Sequence, residues 1–216
     1  SNLQITTDNY GLSETVTSNS TNTYENLIIG GKIGDANGNS YGFRNVLLGH
    51  GVAEGSSNLG SYNVFVGYRC GDRIAGGEEN VAIGRDALYQ ATTANDNVAI
   101  GKYAGYNVTS TTVNTNEAMY NTFIGSYSGH RTTVGYRNTC IGRYSGYNIT
   151  TGYNNICIGN GAGPLTDNTG LDNRLYINST TTNAGSGENS LIYGDQSGTG
   201  SNTLNFNAIV GIQDQA

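Results

Sequence analysis

Tryptophan is missing from this 216-residue sequence, proline occurs once and histidine twice, and only 12% of the residues are charged. That charge content is about half the usual share for a soluble domain. The ten Lys and Arg are scattered and the net charge is −6, so nucleic acid is not an expected partner, because phosphate binding needs clustered cations. No stretch approaches the roughly 20 apolar residues that span a bilayer, and membrane insertion is not expected. The opening SNLQITTDNY has neither the charged nor the apolar part of a secretory leader. Three cysteines, Cys70, Cys140 and Cys157, cannot all pair within one chain and form no CxxC motif. They read as small core residues. His50 and His130 fall far apart, and no Ser-His-Asp order, carboxylate pair or metal motif emerges. The expectation is a non-enzyme without metal or cofactor.

Leu, Ile, Val and Phe make up about a fifth of the chain, near the level at which order becomes marginal. Their placement is strict. The frame Asn-x-x-aliphatic-Gly opens at Asn26, Asn45, Asn63, Asn80, Asn97, Asn121, Asn138 and Asn155, and a degenerate ninth copy, NRLYIN, opens at Asn173. The usual spacing is about 17 residues, with one expansion between Asn97 and Asn121. Glycine closes eight copies and Asn178 the ninth. Asparagine is the next-best residue for a left-handed backbone, so this position is expected to turn the chain.

The three residues after each Asn form a short strand. Its first and third positions include Val64/Val66, Val81/Ile83, Val98/Ile100 and Thr139/Ile141. The middle ones are Leu47, Phe65, Ala82, Ala99, Phe123, Cys140 and Cys157. Alternation puts the two sets on opposite faces. Both faces are apolar, so both need cover. After the turn comes a small residue, usually with Gly (Cys70-Gly71, Ala104-Gly105, Ser145-Gly146), then a Thr-rich stretch with inward candidates Ile74, Ala91, Val108, Thr132 and Ile149. The pattern predicts coils of about 17 residues holding two short strands and two turns, stacked in parallel ~4.8 Å apart. Eight or nine coils give a rod of roughly 40 Å. A coil this thin encloses too little core to stand alone. Burial of the outer strand face against further copies is expected, and three chains about an axis close that interface.

NVAIGRDAL, NVAIGKYAG, NTFIGSYSG and NTCIGRYSG resemble the Asn-x-Ala-Ile-Gly repeats of trimeric autotransporter adhesin heads. They look closer still to repeats of viral and phage tail-fibre proteins. The resemblance covers about residues 26–163 and implies an all-β, left-handed parallel β-roll wound as a homotrimer and used for attachment to a host cell surface. It places the protein outside the cell, on a virion tail fibre or a cell-surface appendage. The stretch RLYINSTTTNAGSGENSLIYGDQSG also looks like the segment that follows such repeats in tail fibres. Three parts are expected: an N-terminal strand-rich cap (1–25), the repeat β-roll (26–172) and a C-terminal β segment (173–216).

Two aromatic ladders are the candidate ligand site. Six residues after the frame Asn stand Tyr103, Tyr127 and Tyr144; nine after it stand Tyr89, Tyr106, His130 and Tyr147. Such rows can hold a cell-surface glycan, ring faces packing on the apolar side of a pyranose. They can equally be struts that stack between coils. Arg85, Lys102 and Arg143, directly after the motif Gly, could meet anionic glycans or serve as solvated charges. The Asn row reads as side-chain amides bonding turn backbone and each other. Asp35, Asn37 and Asn39 alternate as in a calcium loop but lack its Gly and distal Glu. Sequons at Asn19, Asn107, Asn148 and Asn178 are expected by chance in so Asn-rich a chain. The extra residues between Asn97 and Asn121, Thr112 to Ala118 among them, are expected to leave the coil as a loop.

Three alternatives compete. IGRDAL and IGKYAG fit the hexapeptide pattern of left-handed β-helix acyltransferases, but only one hexapeptide per coil matches where that fold needs three. An ice-binding solenoid would want a regular Thr array, and the row at 92, 109, 133 and 150 is interrupted. The third is a purely structural spacer with no ligand.

Overall fold

A computed structural model describes residues 26–33, 42–56, 58–110, 117–166, 171–179, 190–196 and 203–206. The expected cap at 1–25, the Asp35–Asn39 alternation, Asn19 and residues 112–116 of the expected loop lie outside the described residues, whereas Ala118, expected to leave the coil with that loop, is fully buried in the core.

The described chain is all-β and is a parallel β-solenoid. Eleven strands form one sheet in sequence order. They are β1 (Leu27–Gly31), β2 (Val46–His50), β3 (Val64–Tyr68), β4 (Val81–Ile83), β5 (Val98–Ile100), β6 (Thr122–Ile124), β7 (Thr139–Ile141), β8 (Ile156–Ile158), β9 (Arg174–Ile177), β10 (Ile192–Asp195) and β11 (Thr203–Phe206). Strands β1 to β9 pair in parallel, each on the equivalent residues of the next, as in Val81↔Val98, Ala82↔Ala99 and Ile83↔Ile100. The repeat frame is therefore the register. β9, β10 and β11 then run antiparallel.

The middle strand residues form the core. Leu47, Phe65, Ala82, Ala99, Phe123, Cys140 and Cys157 are all fully buried, as are Ile74, Ala91, Val108 and Ala104 from the far side of the coil. All three cysteines are free and buried. In four coils the core exchanges size between two positions, while the small pair Ala99 and Gly105 is filled by Leu88 and Phe123 of the coils on either side. Leu47 is matched by Ala53, Phe65 by Gly71, Ala82 by Leu88 and Phe123 by Gly129. Leu88 adopts φ 47°, a left-handed conformation that costs a side-chain residue ~1–2 kcal/mol, and it is fully buried where the strand offers only alanine. Close packing of interiors demands such compensation.

The closing glycine has a sharper reason than turning. From Gly30 to Gly159 these residues take φ between 113° and 140°, a region open essentially to glycine alone. A Cβ on Gly101 would sit 2.7 Å from the Gly125 carbonyl carbon in the next coil. Asn178 takes the place of that glycine, pairing with Gly159 in the stack, but it is not among the residues with positive φ. The expectation that it adopts a left-handed conformation is thus corrected: with no further parallel coil to meet, the position no longer needs one.

Two more corrections follow from hydrogen bonding. The ninth copy opens at Arg174, not Asn173. Leu175 pairs with Ile156, and the Arg174 amide donates to Asn155 Oδ1 at 3.0 Å, the bond that the amides of frame asparagines make in earlier coils. The Thr-rich stretch, expected to be a second strand, forms no strand among the described residues; it carries only single bridge residues, as in Asn58↔Ala75 and at Ile149. It makes single rungs between coils, such as Thr109 N to Thr133 O at 3.1 Å and Thr133 N to Thr150 O at 2.8 Å. Tight turns on either side leave too few extended residues for a ladder.

Candidate functional site

Each frame asparagine is an internal corner brace. Asn97 is fully buried. Its Oδ1 accepts from the Asn121 amide at 3.0 Å, and its Nδ2 donates to the carbonyls of Asn95 and Ala118, each at 2.8 Å. The same pattern runs through Asn63, Asn80, Asn121, Asn138 and Asn155. The amide replaces a peptide group where the backbone turns away, so buried polar groups stay satisfied. These residues are not a binding row. Two of the sequon asparagines are likewise engaged: Asn107 donates to the His130 carbonyl at 2.8 Å, and Asn148 is buried against the carbonyls of Pro164 and Leu165.

The outer strand face is apolar and open. Ile83, Ile124, Ile141, Ile156 and Ile158 are all exposed, Ile156 at 43%, with the valines and threonines beside them half-buried. The face runs along every coil from β1, where Leu27 and Ile29 are exposed, to β8.

The aromatic residues assemble as columns on the turn that follows the strand. In one column Tyr89, Tyr106, His130 and Tyr147 stack at centroid distances of 5.0, 5.3 and 5.2 Å with interplanar angles of 10° or less. In the other, Tyr103 and Tyr127 are 5.0 Å apart and tilted by 43°, and Tyr127 stacks on Tyr144 at 4.9 Å and 11°. Edge contacts join the columns, Tyr103 to Tyr106 at 76° and Tyr144 to Tyr147 at 64°. Tyr103, Tyr127 and Tyr144 take left-handed φ of 58°, 60° and 55°. Tyr89 is buried, and the other rings are half-buried.

This geometry decides what a ligand can touch. Stacked rings spend their faces on one another, so what faces solvent is ring edges and hydroxyls. Cations cover further faces: Arg69 lies over Tyr89 at 4.4 Å, Lys102 over Tyr103 at 5.1 Å, and Arg143 over Tyr144 at 4.4 Å. Arg85 donates to the Tyr103 hydroxyl at 2.8 Å and pairs with the buried Asp86 carboxylate at 3.0 Å. Burial pushes the pKa of His130 below its ordinary value, with nearby Arg131 adding to the effect, so the imidazole is neutral in its stack at pH 7. This cation-capped pattern could have been anticipated from Arg85, Lys102 and Arg143 recurring one residue before an aromatic or acidic position.

Away from the columns, a cavity of about 280 Å³ lies at the junction of β8, β9 and the antiparallel strands, lined by Ile156, Leu175, Leu204 and Arg174 among others. Arg174 is held there by the Tyr193 hydroxyl at 3.0 Å and by Asp195. Among the described residues no group of three or more His, Cys, Asp or Glu is placed to hold a metal ion, and no helix is long and apolar enough to cross a membrane. Comparison of the chain with protein-family models, with curated proteins and with solved structures finds no match.

Proposed function

We propose that this chain is a structural part, shaft or head, of an extracellular adhesive fibre, carried on a virion tail fibre or a cell-surface appendage and assembled as a parallel homotrimer. The observation that carries the reading is the exposed apolar face running along the strands of a solenoid whose own core is thin, one inward strand residue per coil and a few side chains opposite it. Exposed apolar surface of this extent marks an interaction site, and its repetition at every coil suits another copy of the same rod. The resemblance of the repeat to tail-fibre and adhesin-head repeats supports the same assignment.

The ligand in this reading is a cell-surface glycan or receptor, met by the turn that bears Tyr89, Tyr103, Tyr106, Tyr127, Tyr144 and Tyr147. Contact is through phenol edges and the cations Arg85, Lys102 and Arg143, not through ring faces, which favours glycans bearing carboxylate or sulfate groups. A glycan array probed with the intact oligomer tests this: retention of acidic glycans supports it, and binding of neutral glycans alone refutes it. The second reading, a spacer without ligand, is favoured by the mutual stacking of the rings and predicts an empty array. An acyltransferase is not proposed, since His50 stacks on Tyr68 and His130 is stacked between Tyr106 and Tyr147 four coils further on.

A further inference from the structure

The two ends of the apolar strands carry opposite charge at two successive levels. Glu79 stands just before the frame Asn80 and Asp96 just before Asn97, while Arg85 and Lys102 stand just after the closing glycines of the same two coils. Between them run β4 and β5, with Val81, Ile83, Val98 and Ile100 on the open face. Glu79, Arg85 and Lys102 are exposed and Asp96 is half-exposed. Within one chain the two acids crowd each other: the hydrogen bond to Asp96 and that group's charge push the Glu79 pKa up from its ordinary value, and Glu78 adds to the effect. Among the described residues neither forms an ion pair.

Strands of this solenoid run across the stacking direction. When parallel copies close around an axis through their apolar faces, the exit end of each strand meets the entry end of the neighbour's strand at the same height. We infer that Glu79 and Asp96 of one copy face Arg85 and Lys102 of the next, so that these two levels set the polarity and register of the assembly. This inference rests on the oligomeric reading above. A shift of one coil keeps only one acid–cation contact, and a shift of two keeps neither of the original pairs and restores at most Asp96 against Arg143. The apolar stripe alone is nearly the same at every level and leaves register weakly specified. Charges at an interface rim supply orientation and register more than affinity. The device is confined to these levels. At β7 both ends are cationic, with Arg137 laid over Tyr136 at 5.6 Å and Arg143 over Tyr144 at 4.4 Å.

The test is a charge-exchange cycle at the β5 level in the full chain, using Asp96→Lys, Lys102→Glu and the double variant, with oligomer dissociation followed by sedimentation at low salt. Arg85 is spared because it also pairs with Asp86. Asp96→Lys places a cation beside Glu79 and removes a repulsion within the chain, so the fold is not at risk, and circular dichroism checks this for every variant. Each single substitution is expected to weaken assembly on the order of tenfold, and the double variant to recover it. Raising the salt should shrink the difference. Singles that assemble like the parent, or a double variant no better than the sum of the singles, would overturn the inference while leaving the oligomer intact. A monomeric parent chain would overturn both this inference and the reading beneath it.

Discussion

Phe65 and Gly71 fit as a ring and a vacancy: a Cβ on Gly71, whose φ is 57°, would come within 2.6 Å of the ring at Cε2. Both residues are buried. Gly71→Ala is therefore expected to cost about 2–4 kcal/mol, from overpacking plus a left-handed alanine. Gly76→Ala is the control. Its φ is 86° but nothing lies within 4 Å of the added atom, so it should cost only the backbone strain, on the order of 1 kcal/mol. Denaturant titration of both variants checks this. Combining Gly71→Ala with Phe65→Ala should cost less than the two changes summed, by about 0.5–3 kcal/mol.

The asparagine braces predict a second loss. Asn97→Ala removes partners from the Asn121 amide and from the Ala118 carbonyl in the interior. Leaving both unsatisfied should destabilise the chain by about 2–5 kcal/mol. Asn97→Asp keeps the acceptor but loses the donor and buries a carboxylate beside carbonyls, so it should be at least as damaging. An Asn97→Asp variant as stable as the parent in denaturant titration at neutral pH would contradict the brace.

Much of this was legible in the sequence, and what was not has a physical reason. The frame fixes the register because every buried Asn must meet the next one, and the alternation of Val81, Ala82 and Ile83 assigns inside and outside without ambiguity. Arg174 was missed as the ninth frame position because Asn173 imitates the motif. The strand register and the hydrogen bond to Asn155 distinguish them. The Thr-rich stretch has strand-like composition, yet backbone turns at its ends outweigh propensity. Ring orientation in the tyrosine columns was invisible, since a spacing tells which residues align and not which way their faces point. The exchange of Phe65-Gly71 for Ala82-Leu88 was present in the letters and acquires meaning only when the two positions are seen to share one volume.

His130 supplies a pH dependence. Its folded pKa lies below the ordinary value of 6.5, so its contribution to stability is fully present above that value. It is lost as pH falls through the depressed folded pKa, because the unfolded chain takes up the proton first. Tyr occupies the equivalent place at 89, 106 and 147, and His130→Tyr should preserve the stack. Melting temperature should fall for the parent as the pH drops below 6.5 and less steeply for the variant. Parallel curves would contradict this.

The cysteines should be inert. Burial pushes the Cys70 thiol up to about 12, and Cys157 is raised by burial and by neighbouring Cys140, its partner in the sheet. All three cysteines are fully buried, so a bulky thiol reagent should label none of them at pH 8 until denaturant is added. Rapid labelling of Cys140 or Cys157 in the native protein would contradict their place in the core.

Replacing Tyr103, Tyr127 and Tyr144 with Ala separates ligand contact from support. Rings that pack 4.9 to 5.0 Å apart and hold Arg85, Lys102 and Arg143 should contribute to stability, so the triple variant is expected to be less stable, by several kcal/mol in sum. Unchanged melting with loss of glycan retention would make these rings recognition elements alone.

The central claim is that the open strand face, with Ile83, Ile124, Ile141, Ile156 and Ile158 exposed on a single chain, is buried between copies. Light scattering of the purified chain across a dilution series tests it most directly. The account predicts a folded particle of about three times 22.7 kDa that persists on dilution, and its loss when Ile124 and Ile141 are both changed to Lys. A stable, folded monomer of 22.7 kDa at all concentrations would contradict it.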